Sequence, residues 1–129
     1  MYKRRTKYYN CRTRASDGKI FDSGKEAHRY EELLLLQKEG KITDLNTQVT
    51  YELIPPQHYT YERFGKDGRR LKDGVKLLER GCKYIADFVY VDTATGERIV
   101  EDTKGFRTAE YIIKRKLMLF VHGIRIREK

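Results

Sequence analysis

Two stretches, residues 84–92 (YIADFVYVD) and 98–104 (RIVEDTK), most restrict what this chain can fold into. Each has strand length and is rich in β-branched and aromatic residues. Thr93-Ala94-Thr95-Gly96 joins them, and Gly96 supplies the positive φ that a four-residue hairpin loop often needs at its end. Counting back from that loop, Asp92 pairs with Glu97, Asp87 stands opposite Asp102, and Ile85 stands opposite Lys104. The other side chains are apolar on both faces: Ile85, Val89, Val91 and Val100 on one, Ala86, Phe88, Tyr90 and Ile99 on the other. Such a pair belongs at the centre of a sheet covered on both sides.

The remaining segments supply that cover. Ser23 is placed to cap a helix over 24–39, with Glu26 as its capping-box partner and Gly40 as its stop. Ala27, Tyr30, Leu33, Leu34 and Gln37 follow the spacing of one buried stripe, and the apolar run Leu33 to Leu36 predicts a well-covered helix. A second helix is expected over 108–122, capped by Thr108 and stopped by Gly123. Its predicted stripe is Ala109, Ile112, Ile113, Lys116, Leu117, Phe120 and Val121. Residues 45–54 alternate as a strand until Pro55-Pro56 ends it. Residues 124–128 form a last strand. Asp17-Gly18 signals a small hairpin within 11–22, ending at Ile20-Phe21. Residues 57–83 hold Gly65, Asp67-Gly68, Asp73-Gly74, Gly81 and many cations, and read as a long basic excursion with a short strand at 58–64. The expected architecture is an α/β fold with a central mixed sheet flanked by helices, in the order α-β-β-β-α-β. Residues 1–18 make a basic arm and hairpin, and 19–129 make a single domain.

Charge is distributed in blocks. The net charge is +9 over 129 residues. Residues 1–23 carry seven Lys/Arg against two acids, 57–83 eight against four, and 105–129 seven against two. The intervening segments are acidic. Basic blocks of this kind are the electrostatic footprint of polyanion binding, because neutralised phosphates release counterions. Lys3, Arg4, Arg5, Arg69, Arg70, Lys114, Arg115 and Lys116 are the candidate phosphate contacts. Tyr2, Tyr8, Tyr9, Tyr59, Tyr61 and Phe64 lie among the cations, where aromatics can stack on unpaired bases. No apolar run approaches the roughly 20 residues of a membrane span, and no secretory signal is legible. Cys11 and Cys82 form no metal or disulfide framework, which fits a reducing cytoplasm. His28, His58 and His122 are too scattered for a zinc site.

Two opposed carboxylates between apolar strands are unfavourable unless something compensates. A divalent cation does so, since Mg²⁺ is commonly held by one or two carboxylates plus substrate phosphate, and Mn²⁺ is expected to substitute. Asp102 and Lys104 share a strand face, so Lys104 is placed to orient a water or stabilise phosphorane charge. The alternative is a plain Lys104–aspartate salt bridge at a sheet edge. Glu26 has two readings, metal or water ligand and simple capping residue. Gln48 has two as well, a neighbour of the site and a core hydrogen-bonding group. Lys116, on the predicted stripe, either snorkels or, like Lys114, reaches the active site or a phosphate. Glu101 is expected on the face opposite Asp102, against Phe88; a one-residue slip would exchange the two.

Asp87 followed by Asp102-Thr103-Lys104 resembles the bipartite motif of the PD-(D/E)XK nuclease superfamily, with Ala86 where that motif often has proline. The segments FDSGKEAHRYEELLLL, IADFVYVD, IVEDTKGFRT and KRKLMLFVHGIRIRE resemble more closely a phage-encoded family catalogued as a domain of unknown function. They are also similar in plan to Vsr-like, TnsA-like and Holliday-junction-resolvase-like endonucleases. The resemblance implies a restriction-endonuclease-like core and a Mg²⁺-dependent DNA endonuclease acting on branched or junction DNA in phage DNA processing or recombination. Asp87, Asp102, Glu26 and Lys104 would be its catalytic set, with the first three holding the metal. It implies DNA as partner, a bacterial cytoplasm as location and, where two strands are cut, a homodimer. No membrane and no small-molecule cofactor are expected. Two competing expectations are a DNA-binding accessory protein that has lost catalysis and a nuclease directed at RNA.

Overall fold

The computed structural model describes residues 11–129, so Lys3, Arg4, Arg5 and the tyrosines beside them lie outside the described residues. The protein is a mixed α/β structure. A short hairpin pairs β1 (Thr13–Arg14) with β2 (Ile20–Phe21) and leads into helix α1 (Gly24–Lys38). Then follow β3 (Ile42–Ile54), β4 (Gln57–Phe64), β5 (Arg70–Glu79), β6 (Cys82–Asp92), β7 (Arg98–Asp102), helix α2 (Ala109–His122) and β8 (Arg127–Glu128). The central sheet has four strands in the order β3-β6-β7-β8. It is antiparallel except for the β7–β8 pair. Among the described residues no helix is long and apolar enough to cross a membrane.

The helices cover opposite faces. Ile99 and Val100 alternate on β7, and they enter different cores. On one side Ala27, Tyr30 and Leu33 of α1 pack with Phe88, Tyr90 and Ile99. Ala15 and Phe21 of the first hairpin join this core, and Tyr30 stacks on Phe88 at 6.1 Å between ring centroids. On the other side Tyr111 and Met118 of α2 pack with Tyr84, Ala86, Val89 and Val100.

The β6–β7 register has the expected count. Phe88 pairs with Glu101, Val89 with Val100, and Tyr90 with Ile99. The Asp92 N–H donates to Glu97 O at 2.9 Å, which closes the loop. Continuing that register puts Asp87 across from Asp102. The face assignment of β6 is corrected, however. Tyr84 and Ala86 lie in the α2 core, yet Phe88 and Tyr90 lie in the α1 core. Alternation therefore skips at Asp87, and Ile85 is turned to solvent. Directly across β3, Gln48 sits between the paired residues Thr47 and Val49 with a left-handed φ of 53°. The twin irregularity switches faces on both strands while pairing on either side continues.

Other boundaries also differ. β7 stops at Asp102, so Thr103 and Lys104 lie beyond the strand, and the Lys104 N–H donates to Lys129 O at 3.2 Å. The expected strand over 124–128 contracts to Arg127–Glu128. Leu35 of α1 is exposed, and Gln37 is exposed rather than buried, its Oε1 accepting from the Leu45 N–H. The predicted stripe of α2 is overturned: Tyr111 and Met118 are buried, whereas Ile113, Lys116, Phe120 and Val121 are exposed. That helix is apolar almost all round, so spacing alone could not choose its face.

The region 57–83 is regular, not an irregular excursion. β3 pairs with β6 up to Ile54–Cys82, and β4 pairs with β5 from Gln57–Glu79 onward. The two pairs are one long hairpin, interrupted where Pro55-Pro56 on one strand faces Arg80-Gly81 on the other. Proline lacks the N–H that a ladder requires. A Cβ on Gly81 would lie 3.0 Å from Ile54 O and 3.1 Å from the Pro56 ring, so glycine permits this close approach.

Candidate active site

Asp102 and Glu101 are neighbouring carboxylates at the end of β7, both almost fully buried. Their environments are opposite. Glu101 faces the α1 side, where the Arg29 guanidinium donates to both its oxygens, Nε to Oε1 at 2.5 Å and Nη2 to Oε2 at 3.1 Å. Tyr90 Oη donates to Oε2 at 2.6 Å. A buried carboxylate held by a bidentate guanidinium and a hydroxyl is compensated in charge and in hydrogen bonding. The expected separation of Glu101 from Asp102 across the sheet is what the structure has.

Asp102 is only partly compensated. Tyr84 Oη donates to Oδ2 at 2.5 Å. Lys104 Nζ lies 3.3 Å from Oδ1. That distance is within ion-pair range, but the alignment fails as a hydrogen bond, and buried Oδ1 has no hydrogen-bond partner among the described residues. Buried polar atoms are rarely left so, and each such atom calls for an explanation. The Lys104 ammonium also lies 4.4 Å from the Tyr111 ring centroid, and the Lys25 ammonium donates to Lys104 O at 3.1 Å.

Asp87 stands opposite. The Thr103 N–H donates to its Oδ2 at 2.8 Å. Burial, and then the charge of Asp102, push the Asp87 carboxyl up to about 7. Glu26 is also raised, first by burial, then by Asp22 and Asp102, with Lys104 opposing. The backbone N–H of Glu26 donates to Ser23 Oγ at 3.2 Å, so the cap forms. Its carboxylate makes no hydrogen bond or ion pair among the described residues. It lines a cleft of about 290 Å³ with Lys19, Asp22, Thr47 and Gln48. Gln48 is thus on the site's rim and solvent-exposed, not in the core. A second cleft, of about 330 Å³, is lined by Lys83, Tyr84, Lys104, Tyr111 and Lys114. Glu26 thus opens on the cleft of the α1 side, and Lys104 on the cleft of the α2 side.

The donor set suits a hard divalent cation. Two opposed carboxylates each have one oxygen fixed by a protein donor, and an orphaned Oδ1 remains at the buried one. Among the described residues no group of three or more His, Cys, Asp or Glu side chains is gathered for a metal. Asp87 and Asp102 are the carboxylates whose remaining oxygens fit such an ion, which commonly takes one or two carboxylates and completes its shell with water and phosphate oxygens.

The proposed phosphate contacts fall in separate places. Lys114 lines the cleft beside Lys104 and pairs with Glu110 at 3.1 Å. Arg115 Nη1 and Arg107 both bind Glu128. Lys116 is on the outer surface and does not enter the site. Arg69 and Arg70 are at the far end of the β4–β5 ribbon, and Arg70 pairs with Asp73 at 3.3 Å. Sequence reasoning missed Tyr84, Arg29 and Asp22. Tyr84 looked like an ordinary strand residue, and only the face switch at Asp87 turns it toward Asp102.

Comparison with curated proteins gave no match, and comparison with solved structures gave none. A family model described as a protein of unknown function (DUF1064) matches residues 5–124, so the strands, helices and carboxylates described above lie within a chain that belongs to that family.

Proposed function

We propose that the protein is a metal-dependent nuclease that hydrolyses DNA phosphodiester bonds. The observation that carries this reading is the unpartnered Oδ1 of buried Asp102, facing a lysine and standing opposite Asp87. Asp87 and Asp102 would hold Mg²⁺ or Mn²⁺. The bound ion supplies a lowered pKa for a water and neutralises charge on the scissile phosphate. Tyr84 and the Thr103 N–H fix the orientation of the two carboxylates, so their free oxygens need no rearrangement when the ion arrives. Lys104 Nζ is held by Asp102 and the Tyr111 ring at the cleft mouth, where it stabilises charge that develops on a phosphoryl oxygen. Glu26, whose carboxyl burial pushes up, lines the other cleft and completes the site as a water or metal ligand. Lys83 and Lys114 line the path for flanking phosphates.

The test is cleavage of labelled linear duplex, single strand, flap, four-way junction and RNA with Mg²⁺, Mn²⁺ or EDTA. Metal-dependent cutting of DNA that Asp102→Asn abolishes supports the proposal, and the panel identifies the preferred DNA structure. No cutting of any substrate, together with no carboxylate-dependent Mn²⁺ binding, replaces it with a DNA-binding protein without catalysis.

A further inference from the structure

Among the described residues the β4–β5 ribbon has no partner element. It pairs with no strand of the central sheet, and both of its strands are exposed along nearly their whole length. A two-stranded ribbon is marginal in isolation, yet this one is built to hold its shape. The Tyr61 ring lies over Gly74 on the opposite strand so closely that a Cβ there would be 2.2 Å from Tyr61 Cζ. Lys76 Nζ lies 4.7 Å from the centroid of the same ring. At the tip, the Gly65 N–H donates to Arg69 O at 2.8 Å, and Asp67 Oδ1 accepts from the Arg69 N–H at 3.1 Å. Gly68 adopts the left-handed φ of 75° that the turn needs.

That tip concentrates positive charge. Arg63, Lys66, Arg69 and Lys72 have no ion-pair partner among the described residues, while Arg70 is satisfied by Asp73 and Glu62. Four uncompensated cations on a rigid, projecting support repel one another unless a polyanion binds them. The dimensions select which polyanion. The B-form major groove, about 12 Å wide, admits a two-stranded β-ribbon, whereas the A-form major groove is too deep and narrow. From Asp87 back along β6 and β5 to Arg69, the path is at most about 60 Å at roughly 3.3 Å per residue.

We propose that the β4–β5 ribbon is a duplex-DNA arm that enters the major groove, with Arg63, Lys66, Arg69 and Lys72 binding backbone phosphates one to two helical turns from the carboxylate pair. This deepens the nuclease reading by giving the substrate a B-form duplex flank, and it rests on that reading only for what happens at Asp87 and Asp102. The ribbon's charge complements DNA. A second copy of this basic chain would meet it with repulsion, despite the exposed Val75, Leu77 and Leu78.

Binding measured in EDTA separates this inference from catalysis, because no cutting occurs and no metal is needed. The quadruple variant R63A/K66A/R69A/K72A is compared with wild type on a duplex of about 30 base pairs across a salt series. Loss of four phosphate contacts makes the log K against log[salt] slope shallower by about 3 to 4. The R63K/R69K variant keeps the charges and keeps the wild-type slope, which guards against a ribbon that has simply unfolded. Equal slopes on the long duplex overturn the proposal. So does an equal loss on single-stranded DNA and duplex RNA, or a change in self-association with DNA affinity intact.

Discussion

Tyr84 Oη donates to Asp102 Oδ2 at 2.5 Å, and the other oxygen of that carboxylate is left without a hydrogen-bond partner among the described residues. The tyrosine thereby sets which oxygen of Asp102 is available and where it points. Burial first, and then the bond to Asp102, push the Tyr84 phenol well above its usual range, so it remains a donor at any working pH.

Tyr84→Phe removes that donor and keeps the ring in the α2 core. Mn²⁺ affinity, read by calorimetric titration, is expected to fall about 10-fold, at the low end for an outer-shell partner of a metal ligand. Folding stability is expected to fall by about 1.5–3 kcal/mol, the loss of one hydrogen bond to a charged group. Unchanged metal affinity would remove Tyr84 from the site.

Lys104→Ala and Asp102→Asn are expected to separate chemistry from binding. The proposed phosphate contacts lie mostly outside the pair, so DNA affinity stays within a few-fold while the cleavage rate drops by about 100-fold or more, as when one charge-stabilising donor is lost. Rates and affinities measured on the same labelled duplex check this. Parallel loss of both, in a folded protein, would assign these residues to binding instead.

Metal-free stability should fall as pH rises. The Asp87 carboxyl is held near 7 in the folded state against an ordinary 3.8, so the folded protein binds more protons between those values. Its contribution is fully present below about 4 and is lost as pH rises through about 7. Thermal midpoints in EDTA are therefore expected to decline across that window, less so in Asp87→Asn. Added Mg²⁺ raises the midpoint more at pH 8 than at pH 5, because the ion binds the ionised carboxylates. A flat metal-free profile in the wild type would contradict the placement of Asp87.

Arg29→Ala leaves Glu101 buried and unpaired. A loss of about 3–5 kcal/mol in urea unfolding is expected, the usual effect of breaking a buried pair from one side. Glu101→Gln in the same background should recover part of it. If Arg29→Ala were neutral, the α1 side of the sheet would be held by apolar packing alone.

The position of the carboxylates was legible in the sequence because a short loop fixes the register. Thr93–Gly96 leaves one natural count, and that count puts Asp87 across from Asp102. The α1 stripe at Ala27, Tyr30 and Leu33 was equally plain, since polar residues flank it at helical spacing. The separation of Glu101 from Asp102 followed from strand alternation on β7, which has no irregularity. Tertiary structure decided the rest. Gln48 takes a left-handed backbone that a non-glycine residue rarely adopts, and no local residue announces it; with Asp87 it switches the faces of two strands and brings Tyr84 to Asp102. The apolar surface of α2 extends around the helix, so the sheet it meets, and not its own periodicity, selected Tyr111 and Met118 for burial. The ribbon was hidden because cations and glycines obscure strand periodicity, and only pairing between distant residues reveals that β4 and β5 continue the β3–β6 hairpin. Local rules fix what lies a few residues apart; which face is buried depends on what packs against it.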